Sequence, residues 1–296
     1  MTLKRSFKLG NLELPSNIFY APLAGCSDYP FRKMSSFYKP GLQFCEMVKM
    51  DALVRYDKGT FQMLDFDPDM HPMGAQLCGS KVEFAGLAAK MLEEMGFDVI
   101  DLNCGCPVDK VTSDGSGSGL LKNPKKIGDL IANMVAKVKV PVTVKIRAGW
   151  DESNLVAPEI TQIAEQAGAK AITIHGRTRV QGYRGPAKWG WIRECREVAK
   201  SIKIIGNGDL FSATDVERMF DEVGCDAVLI ARGTLGNPWI CEDVYRHFEK
   251  KDPIIRTLEE RRQALKRHFE ITTAYQNDKR SLTDMRRVGC WYVNKT

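Results

Sequence analysis

The sequence predicts an α/β protein, a (β/α)8 TIM barrel followed by a small C-terminal helical domain. Two observations point to the barrel. Short apolar segments recur roughly every 30 residues with helical patterns between them, the rhythm of repeated βα units. Eight such segments can be counted, and eight strands with crossover helices suit a closed barrel better than a doubly wound sheet of five or six. A third observation separates the end of the chain: beyond residue 250 the pattern turns into amphipathic helices rich in Lys and Arg.

In chain order, Phe7-Lys8-Leu9 and Leu12-Glu13-Leu14 alternate around Gly10-Asn11, which predicts a tight hairpin over 7–14 that plugs one end of the fold. Barrel strands are expected at 17–21, 42–46, 73–77, 99–103, 142–146, 171–175, 203–207 and 227–231. Helices are expected near 30–37, 83–95, 124–137, 157–167, 189–201, 213–223 and 237–249. Residues 1–250 then form the barrel and residues 251–296 a basic helical domain. In that domain Leu258, Leu265, Phe269 and Ile271, then Leu282, Met285, Val288 and Tyr292, are expected to form apolar stripes under basic outer faces. The chain stops at Asn294-Lys295-Thr296 with no capping pattern, so the helical domain is expected to be incomplete.

The 296 residues carry a net charge of +6, and residues 249–296 hold 12 Lys and Arg against 7 Asp and Glu. A nearly neutral body with a basic tail suggests a polyanionic partner on the tail, because phosphate neutralisation dominates nucleic-acid affinity. Nine scattered cysteines do not resemble a disulfide framework and point to a reducing cytoplasm. No apolar run approaches membrane-spanning length, no secretory h-region follows the N-terminus, and no obligatory protein partner is implied.

In a barrel of this kind the active site forms at the C-terminal ends of the strands. Val99-Ile100-Asp101-Leu102-Asn103 runs into Cys104-Gly105-Cys106-Pro107, which sets a thiol at the mouth and makes Cys106 the first candidate for chemistry. Cys104 reads as an apolar filler. A Cys-x-Cys pair without a second ligand pair is a weak metal signal. The stretch Asp114-Gly115-Ser116-Gly117-Ser118-Gly119 has few groups to pack, so residues 106–120 are expected to form a mobile loop. Its glycine spacing is not that of a dinucleotide fold.

The other strand ends offer a bend at Ala21-Pro22-Leu23-Ala24-Gly25, the amide of Gln76, the pair Lys145 and Arg147 on one side of a strand, and His175 followed by Arg177. Strands seven and eight deliver Asn207-Gly208-Asp209 and Ala231-Arg232-Gly233, where barrels commonly hold a phosphate. A ring that becomes anionic on reduction needs a fixed cation, which Lys145 with His175 would supply. A phosphorylated flavin accounts for both ends of the site.

These residues carry a family resemblance. The segment from Ala21 to Arg32, Asn103-Cys104-Gly105-Cys106-Pro107, Lys145-Ile146-Arg147, His175-Gly176-Arg177-Thr178-Arg179, Asn207-Gly208-Asp209 and Gly236-Asn237-Pro238-Trp239 stand in the order and spacing of the tRNA-dihydrouridine synthases. The chain resembles most closely the bacterial DusB-like branch, over nearly its whole length. The resemblance implies reduction of the C5–C6 bond of D-loop uridines in tRNA, with FMN as cofactor and NADPH (or NADH) as reductant. It also implies that Pro22, Leu23, Ala24, Gln76, Lys145, His175, Asn207, Gly208, Asp209, Ala231 and Arg232 bind FMN and that Cys106 donates the proton. Asn103, Arg147 and Arg177 would then hold the substrate. Two departures stand out: Ala231 where the family has Gly, and Leu23 where Met is more usual. Two other readings compete, a flavin ene-reductase or dihydroorotate-type dehydrogenase acting on a small molecule, and a non-catalytic tRNA-binding protein.

Overall fold

The computed structural model describes residues 2–293, so the terminal segment Asn294-Lys295-Thr296 lies outside the described residues. Strands β1 (Phe7–Leu9) and β2 (Leu12–Leu14) pair antiparallel as the predicted hairpin. Eight parallel strands then close a barrel: β3 (Ile18–Tyr20), β4 (Leu42–Lys49), β5 (Met73–Cys78), β6 (Val99–Cys104), β7 (Val142–Arg147), β8 (Ala171–His175), β9 (Lys203–Asn207) and β10 (Ala227–Ile230). Each strand pairs with its neighbours in sequence, and β10 closes the ring against β3. The strands lie within a few residues of their expected positions. Their burial on both faces explains the continuous Val, Ile and Leu runs that made them legible.

The helices are α1 (Tyr29–Ser36), α2 (Met50–Val54), α3 (Lys58–Met63), α4 (Val82–Glu94), α5 (Asp109–Thr112), α6 (Pro124–Val135), α7 (Ala157–Gln166), α8 (Gly190–Val198), α9 (Ala213–Val223), α10 (Ile240–Phe248), α11 (Leu258–Tyr275) and α12 (Asp278–Val293). Local chemistry sets several ends. Asn123 caps α6 ahead of Pro124, Ser212 and Asp215 form a capping box on α9, and Thr257 with Glu260 does the same for α11. The short helices α2, α3 and α5 have no counterpart in the sequence reading, being too brief to show a helical period.

The hairpin seals the N-terminal end of the barrel. Phe7, Leu9 and Leu14 pack against Phe19, Leu42, Val99, Ala171, Ile205 and Leu229 from the strand bottoms, leaving the opposite end for the site.

The last two helices dock on the barrel through a small core of Met34, Trp239, Ala264, Val288 and Tyr292. Gly236 has φ +63, and a Cβ there would collide with the Trp291 carbonyl, so the Gly236-Asn237-Pro238-Trp239 motif is the seat of α12. The expected apolar stripes are corrected in part. Val288 and Tyr292 are buried, but α11 turns Ala264, His268 and Thr272 inward, while Leu258, Phe269 and Leu282 are 72%, 41% and 60% exposed. Spacing four apart puts Ala264, His268 and Thr272 on one face of α11, the face it turns toward its neighbours.

Candidate active site

The C-terminal strand ends frame an open cavity whose empty space, adjoining solvent included, is about 480 Å³. Of the residues expected to bind a cofactor, Pro22, Leu23, Lys145, His175, Asn207, Gly208, Asp209, Ala231 and Arg232 line it. Ala24 does not, being exposed on the rim, and Gln76 is buried in the barrel interior. Ala21, the first residue of the expected bend, also lines it, and Tyr183, Leu210 and Phe211, which the sequence reading missed, complete the wall. Tyr183 had a legible signal, an aromatic between Gly182 and Gly185 in the loop after β8.

Lys145 reaches the cavity from β7, and its ammonium has no acceptor among the described residues. Burial, reinforced by Arg147, brings its pKa down to about 8, with Asp101 opposing. His175 departs from the expected role. Burial first, then the cations Lys145, Arg147, Arg177 and Arg232, push its pKa well below the ordinary value, so the imidazole is neutral. Lys145 alone carries the charge of that pair.

At the β9 and β10 end, Asp209 adopts φ +54. Its carboxylate accepts from Arg177 Nη2 at 2.7 Å, from the Ala187 amide at 2.8 Å and from Arg232 Nη2 at 3.1 Å. Those bonds occupy its side chain, leaving its main chain and the neighbouring glycines to meet an anion. The Arg232 guanidinium lies 4.5 Å from the Tyr183 ring centroid and 5.4 Å from that of Phe211, which arrays two aromatic faces along the rim.

Cys106 follows β6, half-buried, and carries a free thiol. The segment behind it is not the loose loop expected. Ser116, Ser118 and Leu120 are buried, residues Gly117–Lys122 form 3₁₀ turns, and Ser118 donates to the Cys106 carbonyl through both its amide (3.0 Å) and its hydroxyl (2.9 Å). At Gly117 a Cβ would stand 2.9 Å from the Cys106 carbonyl and from Val111 Cγ1, so glycine serves close packing here. Cys104 is fully buried, as a filler should be.

The three residues expected on the substrate are largely engaged within the protein. Arg147 donates through Nε to the Gly105 carbonyl (2.9 Å) and through Nη1 to those of Thr178 (2.8 Å) and Gly182 (2.7 Å). Its Nη2 has no acceptor among the described residues. Arg177 is 3% exposed and bridges Gly185, Asp209 and His175. Asn103 is 7% exposed, with its amide bonded to Gln76 and to the backbone before Cys106. A buried guanidinium or amide needs hydrogen-bond partners. These come from main-chain carbonyls of the mouth loops for Arg147 Nε and Nη1, from Gly185, Asp209 and His175 for Arg177, and from Gln76 on β5 for Asn103. Among the described residues, no cluster of side chains has the makings of a metal site.

Fold and site together define a closed parallel α/β-barrel whose C-terminal mouth holds a cavity lined by Lys145 and Arg232, with the free thiol of Cys106 within electrostatic reach of Lys145. The chain belongs to the dihydrouridine synthase family, whose model matches residues 19–296. It is 34% identical over 293 residues to a probable tRNA-dihydrouridine synthase 1 of Synechocystis, covering 97% of this chain and 81% of that one. It is also 34% identical over 287 residues to tRNA-dihydrouridine synthase B of Pasteurella multocida, covering 97% and 86%. The barrel resembles solved structures at low identity: morphinone reductase (TM-score 0.60, 14% identity, 86% of this chain and 93% of that one) and a histamine dehydrogenase from Rhizobium (0.63, 14%, 90% and 50%). Members of this family are flavin oxidoreductases that reduce uridine in tRNA to dihydrouridine, and that is the activity of this chain.

Proposed function

We propose that this chain binds FMN in the barrel-mouth cavity and uses Cys106 to protonate a D-loop uridine of tRNA during its reduction to 5,6-dihydrouridine. The observation that carries the reading is Lys145, a cavity-facing ammonium with no acceptor among the described residues, within electrostatic reach of the Cys106 thiol. The cavity lies at the C-terminal mouth of the barrel, where such folds place their sites. Its unpartnered cation and its two glycine-containing turns fit a phosphorylated ring that becomes anionic.

When bound there, FMN would supply hydride chemistry toward C6 of uracil, with NADPH or NADH as its reductant. The rest belongs to the chain. Pro22 and Leu23 wall the ring, Lys145 balances its charge, and neutral His175 offers a hydrogen bond. Main-chain N–H groups at Asn207-Gly208-Asp209 and Ala231-Arg232-Gly233 receive the phosphate. Cys106 gives its proton to C5, acting as the general acid. Arg147 Nη2 is open to a uracil oxygen while its other nitrogens brace the two mouth loops. The uridine leaves its stack to reach the cavity, and the exposed Lys and Arg of α11 and α12 hold the tRNA backbone. Nine free cysteines suit a reducing cytoplasm.

The test is incubation of the FMN-loaded protein with unmodified tRNA and either NADPH or NADH, mapping dihydrouridine by mass spectrometry. Product at a defined D-loop position is expected. Turnover of free enones or uracil, with tRNA untouched, would instead support the small-molecule reading.

A further inference from the structure

A line of buried polar side chains runs across three neighbouring strands beneath Cys106. Asp101 on β6 is 3% exposed. Its Oδ1 accepts from Thr143 Oγ1 on β7 at 2.6 Å, and its Oδ2 from Gln76 Nε2 on β5 at 2.7 Å. Gln76 Oε1 accepts from Asn103 Nδ2 at 2.7 Å, and Asn103 Oδ1 accepts from the amides of Gly105 (3.1 Å) and Cys106 (2.9 Å). Strand register places the members side by side: Gln76 pairs with Asp101, and Asp101 with Thr143.

The direction of the line is fixed at both ends. An ionised carboxylate only accepts and a main-chain N–H only donates, so the two amides between them fit in one orientation. With Gln76 1% exposed, bulk solvent does not reach it, and a lost partner leaves a buried polar atom unpaired.

We propose that Asp101 is a positioning residue for the reaction, acting through Gln76 and Asn103 to set the backbone of Cys106 and hence the place from which the thiol delivers its proton. The proposal rests on the function argued above. Asp101 touches neither substrate nor cofactor; it holds the amide of Gln76, which orients Asn103, which fixes the turn. Misplacing a reacting group by about 1 Å can cost on the order of 10²-fold in rate.

The half-reactions separate this role from general stability. Cys106 serves only the transfer to uridine, so the tRNA-driven reoxidation of reduced, FMN-loaded protein is the step the relay controls. In Asp101→Ala, reoxidation by unmodified tRNA is expected to slow about 10²-fold, with flavin reduction by NADPH within about threefold of the parent. Alkylation of Cys106 by iodoacetamide is expected to change by at least about threefold. Asp101→Asn keeps an oxygen for Gln76 while the Thr143 hydroxyl turns to accept, and it is expected to restore both readouts to within about threefold. Thr143→Val, which removes the second donor and leaves the carboxylate, gives the same pattern in milder form and stands in if Asp101→Ala fails to fold. Equal slowing of both half-reactions, unchanged alkylation, or an Asp101→Asn variant as impaired as Asp101→Ala would overturn the proposal. If parent protein is not reoxidised by tRNA, the functional reading fails, and the alkylation comparison still decides whether the relay sets Cys106.

Discussion

Arg177 donates through Nη1 to Nε2 of His175 at 3.3 Å. A guanidinium cannot accept a hydrogen bond, so Nε2 is the acceptor and the imidazole proton sits on Nδ1. Burial and four surrounding cations keep the ring neutral. Nitrogen NMR of the labelled protein should therefore show a neutral Nδ1–H tautomer for His175 at pH 6 to 8. An imidazolium signal at pH 6, or an Nε2–H tautomer, would contradict this arrangement.

Asp209 ties Arg177 and Arg232 to the loop carrying Tyr183. Replacing it in Asp209→Ala leaves the Arg177 guanidinium, 3% exposed, without its carboxylate. The expected loss of stability is about 2 kcal/mol, reduced from the value for a fully buried pair because Asp209 itself is partly open. Urea denaturation checks this, and flavin retention should fall with it. An unchanged midpoint would show that the loop is held by other bonds.

Gly236 and Trp291 meet so closely that a methyl group cannot be inserted between them. In Gly236→Ala the strained φ alone costs about 1–3 kcal/mol. The helical pair should become sensitive to limited proteolysis while the barrel keeps its flavin, and tRNA affinity should drop by about tenfold or more. Parent-like protection and affinity would remove this contact from the account.

His268 is buried between α11 and its neighbours, with its pKa lowered to about 4 by burial. The unfolded chain takes up a proton near pH 6.5, which the folded chain resists until about pH 4. The stability this confers is therefore present above pH 6.5 and is lost as pH falls toward 4, by up to about 3 kcal/mol. Protease sensitivity of α11 and α12 should rise over that interval and flatten in His268→Gln. An identical profile in the variant would place the acid sensitivity elsewhere.

The barrel was legible because its strands are buried on both faces and read as unbroken apolar runs, as in Val99–Cys104 and Ala171–His175. The cavity residues were legible because barrels place their sites at strand ends. What the sequence could not convey was occupancy of the polar groups. Arg147, Arg177 and Asn103 read as open hands for a substrate, yet they are held by main-chain groups of the mouth loops and by the side chains of Gln76, His175 and Asp209, neighbours that only the whole fold brings together. The glycine-rich stretch after Cys106 read as slack for a similar reason: Gly117 is small because Val111 and the Cys106 carbonyl press against it. On α11 the apolar residues were visible, but whether Phe269 or Ala264 turns inward depends on how close the helix lies to α1.

Cys106, on the turn after β6, is assigned as the group that supplies the proton to uridine. The most direct measurement is the rate of dihydrouridine formation from unmodified tRNA by FMN-loaded Cys106→Ala, alongside its rate of flavin reduction by NADPH. Loss of a positioned proton donor predicts product formation slowed by about 10²–10⁴-fold with flavin reduction unchanged. Product formed at the parent rate would contradict the assignment and require another donor at the mouth.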